Sequence, residues 1–269
     1  MPNQELETRL RSIMDAYPAK TALLAVDLTT GEPVAAIRET AQVVSASTIK
    51  VPILCCALQQ VMDGKLSLDQ TIVISPDDFR DDTEVFEPEY RQDGCTLWEH
   101  LYWMIVSSDN TATNTILTLL GYDEINRYCE TIGLHQTSVH RKMMDLTAIA
   151  EGRNNYTSPM DQFRIYDLLY RGEILTDELR AVAFDLLTRT RSFDGLLRYI
   201  PDPVTVARKG GMLDHLYHRA GIFLLEHRPY FIGIFTWDGP ALENEPQQLR
   251  LIGQLSRIVY DTMKQGEPL

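Results

Sequence analysis

The chain has 269 residues, 44% of them hydrophobic and 23% charged, which is enough apolar side chain to bury a large core without disulfides or metals and too much for intrinsic disorder. Its 38 acidic against 25 basic side chains give a net charge of -13, which repels a phosphate backbone and argues against nucleic acid as a partner. No stretch reaches the roughly 18 consecutive apolar residues of a membrane span, and the polar, acidic N-terminus shows no signal peptide, so the chain as written reads as cytoplasmic, or as periplasmic or secreted if an export segment was trimmed. Cys55, Cys56, Cys95 and Cys129 form no C-x-x-C pair and read as free thiols.

In chain order, Leu6, Leu10, Ile13, Met14 and Tyr17 share one helical face and predict an opening amphipathic helix. Residues 22–27 and 33–37, separated by Thr29-Thr-Gly-Glu32, predict a β-hairpin. From about residue 47 to 197 helical spacing dominates, as in Leu97, Leu101, Met104 and Ile105, and again in Phe163, Tyr166, Leu169 and Tyr170. Residues 204–207, 220–225 and 230–237 are three further β-rich runs, and Pro246 is expected to open a last helix with Leu249, Ile252, Leu255 and Val259 facing inward. The fold class that follows is α/β of the α+β type: an antiparallel sheet built from both chain termini with flanking helices, plus an inserted all-helical lobe. The expected domains are a discontinuous sheet-plus-helix unit, residues 1–45 and 198–269, and a helical unit, residues 46–197. A cleft at their junction is the expected ligand site.

Three motifs carry chemistry. Ser47-Thr-Ile-Lys50 precedes an apolar run, and on a helix i and i+3 share a face, so a neutral Lys50 amine at this spacing can take the proton of the Ser47 hydroxyl and make it a nucleophile. Taken alone the pattern is expected about once by chance in such a chain, and a capping serine beside a solvated lysine is then the simpler reading. Ser108-Asp109-Asn110 lies between two helical stretches, where a plain capping turn is the simpler reading. Lys209-Gly210-Gly211 follows the run 204–207, placing a positive charge at a strand edge where two glycines let a ligand backbone approach closely.

Together and in this order, the three motifs resemble the penicillin-recognising serine hydrolases, and among them the class A β-lactamases. The resemblance extends to Ala46-Ser-Thr-Ile-Lys-Val-Pro52, Ser108-Asp-Asn-Thr-Ala-Thr-Asn114, Thr157-Ser-Pro159 and Leu197-Arg-Tyr-Ile-Pro201. It implies that Ser47 is the acylated nucleophile, Lys50 the base that activates it, and Ser108 the proton shuttle to the departing lactam nitrogen. It further implies that Asn110 holds the substrate's side-chain amide and that Lys209 attracts the substrate carboxylate beside Gly211. The N–H groups of Ser47 and Met212 would form the oxyanion hole. Asp109 and Asn114 read as braces.

Two departures matter. Gly210 stands where the family carries a hydroxyl residue, and Arg219, ten residues after Lys209, sits about where relatives carry a carboxylate-binding arginine; an exposed arginine on an edge strand is the alternative. The glutamate that activates the hydrolytic water belongs to an Ω-loop, here residues 141–155, which lacks the usual E-x-x-L-N. Glu151 keeps the spacing of four to Asn155 and is the first candidate for that base, with Asp145 second. The leading expectation is therefore a class A-like β-lactamase acting on a cyclic amide C–N bond. The alternatives are a D-alanyl peptidase or esterase of the penicillin-binding type, and a sensor that is acylated and stays so. The partner is a small-molecule β-lactam or D-alanyl peptide; no cofactor or metal is implied, and a monomer is expected. His215 and His218 suggest no zinc site, for want of a third ligand. Trp98, Tyr102 and Trp103 read as packing residues, while Phe86 or Tyr90 is a candidate for the cleft entrance.

Overall fold

The structure is a computed structural model and describes residues 4–83, 85–86, 93–191, 195–241 and 247–265. Its centre is strand β9 (Tyr230–Trp237), which pairs antiparallel with β1 (Lys20–Asp27) on one side and with β8 (Leu216–Phe223) on the other. The hairpin partner of β1, β2 (Pro33–Ile37), and the hairpin partner of β8, β7 (Val206–Leu213), complete a five-stranded sheet of order β2-β1-β9-β8-β7. Both termini thus feed one antiparallel sheet.

Strand side chains alternate between two faces, and here both faces are buried. In β1, Ala22, Leu24 and Val26 belong to one apolar cluster and Leu23 and Ala25 to another; in β9, Phe231 and Phe235 face the first, and Tyr230, Ile232 and Ile234 the second. The second cluster is closed by α1 (Gln4–Asp15), through Leu6, Leu10 and Met14, and by the C-terminal helix Gln247–Lys264, through Leu249, Ile252, Leu255 and Val259. Pro246, expected to open that helix, lies outside the described residues. Truncating a fully buried side chain such as Leu23 to alanine would cost about 2–5 kcal/mol.

The first cluster is covered by the helices between β2 and β7. These are α2 (Lys50–Met62), α3 (Leu97–Val106), α4 (Asn110–Leu120), α5 (Tyr122–Thr131), α6 (Leu146–Ala150), α7 (Pro159–Arg171) and α8 (Asp177–Thr188), so the C-terminal helix is α9. Short strand pairs not anticipated from the sequence tie this region together: β3 (Val43–Val44) with β6 (Tyr156–Thr157), and β4 (Thr71–Ile72) with β5 (Cys95–Thr96). All four cysteines are free and buried. Two strand extents differ from expectation. β7 starts two residues later than the apolar run and continues through Lys209-Gly-Gly, and β8 starts at Leu216, because pairing between the two strands and not local propensity sets their ends. Among the described residues no helix is long and apolar enough to cross a membrane.

Candidate active site

Ser47 lies on a 3-10 turn, Ala46–Ile49, that runs directly into α2. Ala46, just before it, has φ +44, a left-handed conformation that non-glycine residues adopt only when their surroundings impose it. The Ser47 side chain is half-buried, and its N–H falls in the first turn, where no intrahelical acceptor exists. Lys50 opens α2 on the same face and is fully buried. Its Nζ donates to Ser108 O at 2.6 Å, Asn110 Oδ1 at 2.9 Å and Ser108 Oγ at 3.1 Å. Burial lowers its pKa from 10.5 to about 7, against the opposing pull of Asp109 and Asp82. A buried lysine of this kind is available as an unprotonated amine near neutral pH.

Ser108 also has a left-handed backbone, φ +59, which lets its carbonyl face Lys50 while its hydroxyl meets a second lysine. Lys209 Nζ donates to Ser108 Oγ at 2.9 Å and to Gly210 O at 3.3 Å. Lys209 is 1% exposed, and burial first, then the charges of Lys50 and Arg219, hold its pKa well below the usual 10.5. The Ser108 hydroxyl therefore bridges two amines. The rest of the S-D-N sequence frames it: Asp109 caps α4 by accepting from Ala112 N–H at 2.7 Å.

β7 is the free edge of the sheet on the side of the Ser47 turn. Leu213 and Leu216 pair across the two-residue turn between β7 and β8, so the alternation of an antiparallel ladder directs the N–H and C=O of Met212 and Gly210 away from β8. The Lys209 amine on Gly210 O accords with that. A Cβ at Gly211 would stand 2.8 Å from Ser47 N and 2.9 Å from Ala46 Cβ, so only glycine allows β7 to approach the turn this closely. His218, paired with Gly211 across β7 and β8, reaches β3, which leads into the same turn: its Nε2 lies 2.9 Å from Val44 O, and burial pushes its pKa down to about 4, which keeps the ring neutral.

Ser47, Ser108, Asn110, Lys209, Gly211, Met212 and Arg219 line one cleft of about 660 Å³. Lys50 lies buried behind this lining, on Ser108 and Asn110, and Glu151 is the expected site residue that the structure brings neither to the cleft nor to its lining residues. It stands at the C-terminal end of α6, more than half exposed and paired with Arg153, and it is not among the residues that charge Lys50. The Asn155 that made its spacing suggestive has its side chain on His140 N, Arg141 N and Arg141 O, closing residues 141–155 as a loop. Asp145 caps α6 at Ala148 N–H. The residue of that loop lining the cleft is Met144, with φ +57. Its neighbour Met143 is clamped at both N and O by the Asn114 amide.

One other expectation changes. Phe86 is buried and stacked on His100, away from the cleft entrance, and Tyr90 lies outside the described residues. Trp98 and Tyr102 stack on each other, and Tyr102 and Trp103 pack against the apolar core as expected, Trp103 lining in addition a recess of about 560 Å³ beside the cleft together with Val85 and Asp82. Sequence reading missed Asp82, Met143 and Met144; no local pattern marks them, since long-range bonds bring them to the site.

The β-lactamase enzyme family has a sequence model that matches residues 5–263. The chain belongs to that family. A β-lactamase of Streptomyces fradiae is 28% identical over 218 residues, covering 78% of this chain and 70% of the relative. The solved structure of PBP-A has a TM-score of 0.88 at 26% identity and covers 98% of each chain; a PBP-A mutant in an acyl-enzyme complex with penicillin G matches equally well. A β-lactamase from Chitinophaga pinensis, at 21% identity with TM-score 0.85 over 96% of this chain and 99% of that one, shares the fold. As a β-lactamase family member, the chain is a hydrolase of the β-lactamase type on a β-lactamase/transpeptidase fold.

Proposed function

We propose that the protein opens β-lactam rings by forming an acyl-enzyme through Ser47, and that this acyl-enzyme is released slowly. The observation that carries the reading is the buried Lys50 amine, three residues from Ser47 and hydrogen-bonded to Ser108, with its pKa brought to about 7. Lys50 takes the Ser47 proton as Oγ attacks the carbonyl carbon. The N–H groups of Ser47 and Met212 hold the developing oxyanion, a donor pair of which each member is worth roughly 3 kcal/mol in such sites. As the C–N bond breaks, the Ser108 hydroxyl gives its proton to the leaving nitrogen and is reprotonated from Lys50. Lys209 and Arg219 hold the substrate carboxylate, and Asn110 its side-chain amide.

Slow release follows from the methionines where a water-activating carboxylate is needed. That feature, with the likeness to PBP-A over 98% of the chain, also favours a second reading, a D-alanyl peptidase of the penicillin-binding type that β-lactams acylate in place of a peptide. Intact-mass measurement during incubation with penicillin G tests the core of both. A single covalent adduct on the wild-type chain, absent from Ser47→Ala, is expected. An adduct that persists in Ser47→Ala, or neither adduct nor ring opening in the wild type, overturns the nucleophile.

A further inference from the structure

Asp82 stands at the rim of the Ser47 cleft with its carboxylate on the Asn110 amide, and the chain around it is built to hold it there. Arg80 N–H donates to Thr111 Oγ1 at 2.9 Å, Arg80 Nε donates to Met143 O at 3.0 Å, and the Thr83 hydroxyl donates to the Asp109 carboxylate. Between these anchors Asn110 Nδ2 donates to Asp82 Oδ2 at 2.7 Å. The strap 80–83 is thus fastened to the first turns of α4 and to the loop that carries Met143. Asp82 and Asn110 together line both the main cleft and the recess walled by Val85 and Trp103.

Asn110 Oδ1 is taken by Lys50 and one Nδ2 hydrogen by Asp82. The second Nδ2 hydrogen is the group Asn110 has left to offer a substrate amide carbonyl. An acyl group held by that hydrogen carries its next atoms past the Asp82 carboxylate. A neutral or anionic substituent there meets a negative charge it cannot compensate. An ammonium meets both an acceptor and the opposite charge. The other charged groups are Lys50 behind Asn110, Asp109 buried beneath the strap, Arg191, which lines both the recess and the cleft, and Lys209, Asp214 and Arg219 in the cleft. Arg191 repels a cation and so confines an amine to the Asp82 side.

We infer that Asp82 is a specificity-determining residue that selects acyl substrates bearing an ammonium group next to the amide held by Asn110, an inference that rests on the acyl-enzyme reading above. The substrate class is an aminoacyl amide, as a β-lactam side chain or as a peptide with a free amine at that carbon. A mere brace for Asn110 would slow all substrates alike; a charge selector changes their ratio.

The test measures acylation rate constants by intact mass for ampicillin, penicillin G and carbenicillin, which differ at one carbon in carrying an ammonium, a hydrogen or a carboxylate, under conditions that keep the amine protonated. The wild type is expected to favour ampicillin over penicillin G by about two- to fivefold, the range of a partly exposed charge pair, and to disfavour carbenicillin. Asp82→Asn keeps an oxygen acceptor for Asn110 and should bring the ratios close to one, Asp82→Lys should turn the preference towards carbenicillin, and Arg191→Ala should leave the ampicillin preference intact or enlarge it. Equal rates for the three compounds in the wild type, ratios that Asp82→Asn does not alter, or a preference lost in Arg191→Ala overturn the inference while Ser47 acylation stands. No adduct and no ring opening with any compound overturns the acyl-enzyme reading and the inference with it.

Discussion

The side chain of Arg219 occupies the space that any side chain at residue 210 would need. A Cβ at Gly210 would stand 2.6 Å from Arg219 Nη1 and 2.9 Å from its Cδ and Cζ, and the two residues are direct partners across β7 and β8. Arg219 is only 7% exposed, with Nη1 donating to His218 O at 2.8 Å and Gly211 O at 3.4 Å. The missing hydroxyl of the third motif and the arginine ten residues later are therefore one feature: the glycine makes room for the guanidinium.

Replacing Gly210 by threonine should accordingly displace Arg219. The expected loss of stability is about 1–3 kcal/mol, as for overpacked positions, with slower acylation by β-lactams bearing a free carboxylate. Adding Arg219→Ala to Gly210→Thr should recover part of the stability, a coupling of about 0.5–3 kcal/mol. Urea denaturation of the two single variants and the double variant decides it; strictly additive losses would show that the residues do not compete for one space.

Lys50 ties activity and stability to the same titration. Acylation through the neutral amine should rise about tenfold per pH unit up to the folded pKa of about 7 and level off above it. Stability follows with a definite sign. Because the folded pKa lies below the unfolded value of about 10.5, the unfolded chain binds more protons between those limits, and Lys50 makes stability rise with pH across that window. Below pH 7 both states carry the charge and its burial cost is fully present. The stability of Lys50→Met relative to wild type should therefore be highest below pH 7 and fall as pH climbs, while acylation is lost. A relative stability that does not change with pH would show that Lys50 is not a desolvated charge.

The sheet is legible in the sequence wherever β-rich runs stand between turn residues, as at residues 22–27 and 230–237, because burial on both faces demands such runs. The extension of β7 through Lys209-Gly-Gly is not legible, since two glycines have no strand preference and only the pairing with Arg219 and His218 holds them in register. The same limit applies to the site. Ser47 and Lys50 are close in sequence and their face-sharing follows from helix geometry, whereas Asp82 reaches Asn110 only through bonds from the 80–83 strap to α4. Glu151 misleads for a related reason: its spacing to Asn155 fits the family, but α6 ends at Ala150 and leaves it facing solvent.

Glu151→Gln should therefore change neither the rate of adduct formation nor the lifetime of the adduct, and it should shift stability by less than about 0.5 kcal/mol, as for a surface pair. Stopped-assay mass spectra of the variant provide the check. A clear lengthening of the adduct lifetime would restore Glu151 as the base for the hydrolytic water.

A carboxylate at residue 143 should do what Glu151 does not. Asn110 and Asn114 lie one turn apart on α4 and share a face; the first holds the Lys50 amine, and the second holds Met143 by both N–H, at 2.7 Å, and C=O, at 3.2 Å. The backbone of Met143 is thus fixed one helical turn from the asparagine that holds the amine, and the residue is 6% exposed. In Met143→Glu the new carboxyl meets Lys50, which offsets the cost of burying it unpaired. The opposite charge should raise the Lys50 pKa and move the acylation profile to higher pH. With a base now next to the ester, the adduct lifetime should shorten, by up to the ~10²–10⁴-fold typical of general-base catalysis. Met143→Gln, equally polar and uncharged, should retain the long-lived adduct. If Met143→Glu acylates at the wild-type rate and its adduct lasts as long as the wild-type adduct, the absence of a carboxylate beside Lys50 is not what slows release.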